Sequence, residues 1–183
     1  ECVGQVIDIG DGILNLKIGD IVSVPFQISC GMCDNCQQGY TATCNSVPSI
    51  STYGFGKHLE LGGAMSDVIK VPYADHMLTK IPEHIDPIAL ASLSDNIPDA
   101  YRHIEDLQKN PNQSVLIISG KAKSVGIYSL LLAKSVGVSE VDFVDNNKER
   151  LELAGKLKAT NVYSSFSQLT KKYDLVIDAS STQ

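Results

Sequence analysis

The chain has 183 residues, of which 43% are hydrophobic and 20% are charged, a composition typical of a soluble globular protein with one or two domains. A formal net charge of −6 without a basic stripe argues against a nucleic-acid partner. The apolar runs are too short to cross a membrane, and the N-terminus has no secretory pattern. We therefore expect a cytoplasmic protein without a membrane partner.

Residues 1 to about 85 have the pattern of a β domain. Three segments with strand character, the second beginning in a turn, cover residues 3–9, 16–24 and 64–71. Gly10, Asp11 and Gly12 form a turn after the first strand, and Pro72 ends the third because proline cannot donate to a strand ladder. A loop rich in cysteine and glycine follows the second strand.

Helical signals begin at Asp86, a capping residue followed by Pro87 in the first turn. Pro98 is expected to interrupt this helix, and residues 99–107 to form a second one. Further strands are predicted at residues 115–118, 141–144, 162–163 and 174–177, and further helices at 125–136 and 148–157. This alternation predicts an α/β fold with a parallel, doubly wound sheet.

The two ends of the sequence resemble the interior of a domain. The chain begins at Glu1 rather than Met, directly before a predicted strand, and it stops just after another strand. We therefore expect both native ends to lie outside this sequence.

Four of the five cysteines form a C-x2-C-x2-C-x7-C motif, which consists of Cys30, Cys33, Cys36 and Cys44. Thiolates are soft ligands, and four of them about 2.3 Å from one ion complete a tetrahedral zinc site. Gly31 and Gly39 give the loop the turn freedom to curl round an ion. Four protein ligands leave no open position, so the predicted zinc is structural rather than catalytic.

Three other interpretations of the motif compete with zinc: disulfides, unrelated free thiols and an iron–sulfur cluster. Disulfides are disfavoured in an intracellular chain without a secretory signal. Ferredoxin-type runs have three residues between the third and fourth cysteine and then a proline. Here seven residues precede Cys44 and Asn45 follows it, so zinc is favoured. Cys2 lies in a predicted strand, where a buried apolar role is expected.

The order of these motifs resembles the zinc-containing medium-chain dehydrogenase family over essentially the whole chain. The matching features are the cysteine motif after the turn at residues 16–24, then Gly62-Gly63-Ala64, Val71-Pro72 and Ile81-Pro82. The resemblance implies that residues 1–97 are a partial GroES-like catalytic domain with a structural zinc lobe at residues 30–44. It also implies that residues 98–183 are a partial dinucleotide-binding Rossmann domain.

The resemblance also implies a catalytic zinc, held by a Cys, a His and a third ligand. A Glu directly follows that His, and Glu1 matches it, so the Cys and the His would lie upstream of Glu1. The third ligand is a Cys in many members and an Asp in some, such as those resembling formaldehyde dehydrogenase, and Asp95 is the candidate here. The alternatives are that Asp95 caps the helix near Pro98 and that Glu1 is simply an exposed terminal residue.

The turn after the strand at residues 115–118 resembles a dinucleotide-binding motif. Such a motif needs glycines for a tight turn, for close approach of the pyrophosphate and for helix–strand packing. Gly120 and Gly126 match the first and last, whereas the middle glycine is absent and the spacing is one residue longer. The helix N-terminus offers amides to phosphate, and Lys121 and Lys123 add charge unless they are simply solvated.

Asp145 ends the next strand, 19 positions after Gly126, where an acidic residue binds the ribose 2′-hydroxyl and repels a 2′-phosphate. We therefore favour NAD over NADP, and the alternative is that Asp145 caps the next helix. The candidate cofactor-binding residues are Gly120, Lys121, Lys123, Ser124, Val125, Gly126, Asp145 and Asn146.

These features favour an oxidoreductase that exchanges hydride between an alcohol or carbonyl substrate and NAD(H), with zinc as a Lewis acid in the intact parent. His58 and His103 are possible residues of the cleft that the family places between its domains, although solvated or packing roles are favoured. Without two catalytic ligands and the remaining strands, residues 1–183 alone are not expected to turn over. The family also implies a homo-oligomeric parent. The alternative is a non-enzymatic, zinc-stabilised module that binds nucleotide or senses redox state.

Overall fold

The computed structural model describes residues 2–54 and 61–181, and the chain divides into two compact units, Glu1–Asp95 and Asn96–Gln183. The boundary predicted from the sequence, between residues 97 and 98, stays a prediction, and the observed division falls just before it. Among the described residues, no helix has the length and apolar character needed to cross a membrane.

The first unit is built on a three-stranded antiparallel sheet with the order β1-β2-β3. Its strands are β1 (Cys2–Gln5), β2 (Ile21–Val24) and β3 (Thr79–Lys80), and its short helices are α1 (Asp34–Gln37) and α2 (Ala74–Met77). The central strand is buried on both faces, since Val22, Ser23 and Val24 are each at most 5% exposed. Ile28, Tyr53 and Met77 complete the same apolar core.

Two strands predicted in this unit differ from the structure. The first ends at Gln5 rather than residue 9, and the side chain of Ile7 beyond it is 60% exposed. The strand predicted at residues 64–71 is wrong, because this segment has no regular secondary structure. The Ser66 hydroxyl donates to the carbonyl oxygens of Gly63 (2.7 Å) and Val68 (3.1 Å). Such local side-chain bonds compete with a strand ladder.

The helical segment between residues 86 and 109 begins as predicted but is divided differently. The carboxylate of Asp86 accepts a hydrogen bond from the Ile88 amide at 3.0 Å, and the following helix, Pro87–Ser94, is a 3-10 helix. Pro98 does not interrupt a helix; it lies in the first turn of α3 (Asn96–Tyr101), where a missing N–H has no consequence. The predicted second helix is replaced by a 3-10 helix at Glu105–Lys109.

The second unit confirms the predicted parallel sheet, with the strand order β6-β5-β4-β7. The strands are β4 (Ser114–Ser119), β5 (Glu140–Val144), β6 (Asn161–Tyr163) and β7 (Leu175–Ala179), and the helices are α4 (Val125–Ser135) and α5 (Lys148–Lys156). The order reverses at β4, so β4 and β7 form a topological switch point of the kind at which open α/β sheets bind ligands.

The two faces of this sheet have different chemistry. Residues in alternate positions of β4 and β5, namely Val115, Ile117, Val141 and Phe143, are fully buried with Leu130 of α4 in one apolar core. The opposite face of β5 carries Asp142, which is also fully buried. Strand residues alternate between faces, so one strand supplies both an apolar and a charged surface.

The carboxylate of Asp142 is surrounded by donors from distant parts of the chain. Lys171 Nζ and the Tyr173 hydroxyl lie 2.8 Å from its Oδ2, and Asn161 Nδ2 donates to Oδ1 at 3.0 Å. Lys171 also pairs with Glu140. Burial alone would raise the pKa of Asp142, but the hydrogen bonds from Lys171, Tyr173 and Asn161 outweigh it and lower that pKa. The network therefore anchors the segment before β7 to the sheet.

Replacement of Lys171 should destabilise the second unit. Lys171→Met leaves the buried Asp142 carboxylate without its cation, at a cost of about 2 to 3 kcal/mol, since Lys171 itself is partly exposed. Because the folded pKa of Asp142 lies below its unfolded value of about 3.9, this contribution is present above that pH and is lost at lower pH. Urea unfolding should show a lower free energy of unfolding for Lys171→Met but not for Lys172→Met, and the loss should be largest near neutral pH. An equal deficit in both would contradict the role of Lys171.

Candidate metal centre and nucleotide turn

The four cysteines of the sequence motif converge in the first unit. The Sγ atoms of Cys30, Cys33, Cys36 and Cys44 all lie within 4.8 Å of one another. Cys30, Cys36 and Cys44 are buried, whereas Cys33 is partly exposed. All four are free thiols. The structure thus brings together the complete predicted ligand set.

Local backbone geometry brings the sulfurs together. Gly31 (φ 75°) and Gly39 (φ 84°) adopt left-handed conformations on either side of α1, which lets the chain reverse around the cluster. Backbone amides point at the sulfurs: those of Met32 and Cys33 lie 3.3 Å from Cys30 Sγ, and that of Asn45 lies 3.4 Å from Cys33 Sγ. N–H donors favour the charged form of an acceptor, so the loop is preorganised for thiolates.

The thiols differ in acidity as a result. The Ser46 hydroxyl and the amides of Met32 and Cys33 lower the pKa of Cys30 to about 6. Burial, the largest influence on Cys36, raises the pKa of that thiol to about 12. A bound cation would offset this burial cost, because metal ligation deprotonates a thiol outright.

The spacing of the sulfurs fits a single tetrahedral ion. Metal–sulfur bonds of about 2.3 Å place tetrahedral ligands about 3.8 Å apart, and Cys33 Sγ lies 3.9 Å from Cys44 Sγ. The remaining pairs also lie within 4.8 Å, so none has to move closer by more than about 1 Å. In an iron–sulfur cluster the four cysteines are divided among two or four irons, so they cannot all surround one ion and must lie farther apart. The donor chemistry and the geometry therefore match zinc, which would here hold the loop in place.

His76 of α2 attaches the cysteine loop to the body of the unit, a contact that the sequence analysis missed. Its Nε2 lies 3.1 Å from Ser29 Oγ, directly before the first cysteine. A Cβ atom at Gly31 would lie 2.3 Å from the Cγ of this histidine, so glycine is required there for space as well as for conformation. Ser29 and His76 are 47 positions apart in the sequence, and no local sequence pattern predicts a contact between residues so far apart.

Metal content is the direct test of the cluster. The protein should bind about one zinc ion at Cys30, Cys33, Cys36 and Cys44, and Cys36→Ser should weaken that binding and destabilise the first unit. Cys2→Ser is the matched control, because Cys2 lies in β1 and outside the cluster. Elemental analysis that finds iron and sulfide, or equal zinc loss from both variants, would overturn the assignment.

The residues predicted for the catalytic zinc and its cleft do not form a cluster within the described part of the chain. Asp95 is half-buried between the 3-10 helix Pro87–Ser94 and α3, and its amide donates to the Ser92 carbonyl at 3.3 Å. Glu1 and His58 lie outside the described residues, and His103 is exposed. The catalytic roles of Asp95 and Glu1 therefore stay predictions.

The turn predicted to bind a nucleotide, residues 120–124 and here called the nucleotide turn, joins β4 to α4, as the sequence predicts. A Cβ atom at Gly126 would lie 3.0 Å from Ser119 Cβ, so this glycine permits the close helix–strand packing of a dinucleotide motif. A Cβ atom at Gly120 would lie 2.6 Å from the Ser180 carbonyl oxygen, where the chain leaves β7. Lys121 and Lys123 are exposed.

Replacing these glycines should destabilise the second unit by different amounts. Gly120→Ala forces a methyl group against backbone and should cost about 2 to 3 kcal/mol, and Gly126→Ala, which meets a side chain, about 1 kcal/mol. Gly155→Ala is the control: nothing lies within 4 Å of its Cβ position in α5, so it should stabilise by about 0.5 to 1 kcal/mol. Urea unfolding measures all three, and a neutral Gly120→Ala would contradict the close contact.

Asp145 lies at the carboxyl end of β5 and is held by an arginine that the sequence analysis did not select. Arg150 Nε and Nη2 lie 2.6 Å and 2.8 Å from its two carboxylate oxygens, and the Asn147 amide donates to Oδ1 at 2.7 Å. The capping alternative is wrong, since the N-cap of α5 is Asn147, whose side chain accepts from the Arg150 amide. Asn146 is exposed.

The parallel register places Asp145 and the nucleotide turn at one edge of the sheet. Ile118 pairs with Val144, so Ser119 and Asp145 are the next residues on strands that lie about 4.8 Å apart. Gly120, Gly126 and Asp145 therefore surround the carboxyl end of β4, next to the switch point. Because burial opposes ionisation and Arg150 favours it more strongly, the pKa of Asp145 is lowered.

Comparisons with known proteins relate this chain to zinc-type dehydrogenases. The model of the alcohol dehydrogenase GroES-like domain matches residues 1–83. A glutathione-independent formaldehyde dehydrogenase of Pseudomonas aeruginosa is 34% identical over 85% of this chain and 40% of its own length. An L-threonine 3-dehydrogenase of Pseudoalteromonas translucida is 36% identical over 87% of this chain and 43% of its own.

Solved structures agree with these relatives. The alcohol dehydrogenase TADH from Thermus sp. ATN1 superposes with a TM-score of 0.84 at 30% identity, over 97% of this chain and 53% of that one. A four-cysteine β unit followed by a parallel sheet defines a zinc-type dehydrogenase architecture. The chain belongs to the zinc-containing medium-chain dehydrogenase/reductase family, and it spans less than half the length of the two curated relatives named above.

Proposed function

We propose that the intact parent of this chain is a zinc-dependent dehydrogenase that transfers hydride between an alcohol or carbonyl substrate and NAD(H). The observation that carries this proposal is the convergence of Gly120, Gly126 and Asp145 at the carboxyl end of β4, in a chain that also holds four clustered thiols. The zinc-type dehydrogenases among its relatives support the same chemistry.

The two zinc sites of the proposal have different tasks. The four cysteines form a closed site with no open position, so it stabilises residues 30–44 and performs no chemistry. Asp95 is proposed as the one catalytic-zinc ligand within this chain, and Glu1 as a carboxylate that tunes the same site. Zinc bound there would supply a Lewis acid that favours ionisation of the substrate alcohol. A carboxylate oxygen suits this metal.

Cofactor binding is proposed to use the start of α4 and the end of β5. The 11-residue helix α4 points its N-terminus out of the nucleotide turn, and the Ser124 side chain does not cap it, so its first amides are available to a pyrophosphate. Lys121 and Lys123 add positive charge there. Asp145 accepts a hydrogen bond from the adenosine ribose, beside the exposed Asn146.

The redox-sensing alternative rests on a specific pair of thiols. Cys33 is the partly exposed member of the cluster, and its Sγ is only 3.9 Å from that of Cys44. Oxidation of this pair by a peroxide would release a bound metal. Such a module would bind zinc and nucleotide without oxidising any alcohol. An assay for alcohol oxidation therefore distinguishes a redox-sensing module from a dehydrogenase.

The role of Asp95 gives the sharpest test of the enzyme proposal. In a full-length version that also carries the upstream Cys and His, Asp95→Asn removes an anionic ligand, so the zinc content should fall from about two ions per chain to about one and NAD-dependent alcohol oxidation should drop at least about 100-fold. Asp99→Asn is the control, since Asp99 lies on α3 and makes a partly exposed ion pair with Arg102. Unchanged zinc and unchanged activity in Asp95→Asn would reject the assignment.

A further inference from the structure

The four clustered thiols differ in their access to solvent. Cys30, Cys36 and Cys44 are buried, whereas Cys33 is only partly buried and follows the exposed Met32. A cysteine sulfur reacts with a dissolved oxidant only where that oxidant can reach it. Cys33 is therefore the member of the cluster that is most accessible to such an oxidant.

A second sulfur lies next to Cys33, in a position to complete a disulfide. Cys33 Sγ is 3.9 Å from Cys44 Sγ. The two atoms therefore need to approach by about 2 Å to reach the bond length of about 2.05 Å in a disulfide. A pocket of about 270 Å³ borders Cys44 and is also lined by Asn45 and Ser49. The Cys44 segment thus borders open space rather than packed core on this side, which leaves it room to shift.

The other two thiols are less suited to this reaction. Cys30 Sγ lies 3.3 Å from the backbone amides of both Met32 and Cys33, and its side chain is almost fully buried. Cys36 is buried on α1. Neither sulfur is open to solvent, so neither is a favourable point of attack on a peroxide. Exposure and distance together single out Cys33 and Cys44.

We propose that Cys33 and Cys44 form a peroxide-sensitive switch in the zinc lobe: a peroxide oxidises the pair to a disulfide, and the lobe releases its zinc. The proposal rests on the zinc assignment of the four cysteines. It concerns the regulation of that site, in a dehydrogenase as much as in a redox-sensing module, and it names the sulfur that reacts first and the sulfur that completes the bond.

The reaction balances with hydrogen peroxide as the oxidant. The Cys33 sulfur attacks one peroxide oxygen, which breaks the O–O bond and leaves a sulfenic acid and a hydroxide. The Cys44 sulfur then attacks the Cys33 sulfur, forms the S–S bond and displaces a second hydroxide. Two protons convert the hydroxides to water. Two electrons pass from the sulfurs to the peroxide, and the zinc ion keeps its charge because it has no redox chemistry.

Release of zinc would remove the order of the cysteine loop. A disulfide between Cys33 and Cys44 leaves only Cys30 and Cys36 for the ion, and two ligands do not complete its tetrahedral shell. The buried cluster of residues 30–44 consists of these sulfurs with Val47 packed against them, so the loop without metal has little else to hold it. Oxidation at the surface thereby becomes loss of structure in the first unit.

Oxidation of the zinc-loaded protein tests the switch directly. Hydrogen peroxide should release about one zinc ion per chain, measured with a chromogenic chelator, and a thiol reductant with added zinc should restore binding. Mass spectrometry should find Cys33 joined to Cys44. Cleavage before Asp34 and after Tyr40 separates the cysteines into three groups, and tandem fragmentation then distinguishes Cys33 from Cys30.

Two histidine variants separate the reactive pair from the rest of the cluster. Cys33→His keeps a zinc ligand, since three cysteines and a histidine also form a structural site, but it removes the accessible sulfur. This variant should bind zinc and keep it in peroxide. Cys36→His is the matched control, because it retains Cys33 and Cys44; it should bind zinc and lose it in peroxide. Cys2→Ser lacks only the thiol in β1 and should also lose zinc.

Three results would overturn the switch: zinc that stays bound in peroxide, a disulfide between other cysteines, or equal zinc release from the two histidine variants. If Cys33→His binds no zinc, the disulfide mapped in the unmutated protein decides. None of these readouts involves alcohol oxidation, so failure of the switch is distinguishable from failure of the dehydrogenase proposal.

Discussion

The hydrogen-bond register of β4 determines which residues of the second unit lie together at the carboxyl edge of its sheet. β4 pairs in parallel with β5 on one side and β7 on the other, so the chain ends of all three strands meet at one edge. The chain leaves β4 at Gly120 so close to Ser180 that no side chain fits. The nucleotide turn, the start of α4 and Asp145 consequently occupy one small area at the switch point. A shift of β4 by one residue would also turn its buried apolar side chains to the opposite face.

The cysteine loop depends on a different kind of interaction. Its buried cluster consists of Cys30, Cys36 and Cys44, with Cys33 and Val47 packed against them, whereas Met32 and Tyr40 are more than 60% exposed. Few apolar groups are therefore available to order the loop through the hydrophobic effect. A metal–thiolate centre supplies binding energy that such a loop lacks, and the energy of metal binding then becomes energy of folding.

The sequence predicted the features that follow from short-range patterns. Cysteine spacing gave the complete thiol cluster, and the alternation of apolar strands with helices gave the parallel sheet, because both depend on neighbouring residues. The prediction was wrong for residues 64–71, where Ser66 bonds to nearby carbonyls, and at Pro98, which lies in the first turn of a helix rather than breaking one. Both proline and serine have more than one favourable local structure, and tertiary packing selects among them.

Sequence patterns did not predict which residues pair with the buried carboxylates. Lys171 is 29 positions from Asp142 and nothing between them marks the pair. Asp145 was recognised by its distance from Gly126, but its pairing with Arg150 depends on the direction in which α5 leaves the sheet. The sequence thus identified the anionic residue of the proposed nucleotide site, whereas only the structure shows which donors hold it.

The central claim, a dehydrogenase of the zinc type that binds NAD through the carboxyl edge of this sheet, can be tested in one crystal. Diffraction data collected at the zinc absorption edge, from crystals grown with ADP-ribose, would locate metal and nucleotide together. The account predicts an anomalous peak at the centre of the four sulfurs and an adenosine ribose hydroxyl within hydrogen-bond distance of Asp145. Sulfurs without a peak, or a ribose bound away from Asp145, would contradict it.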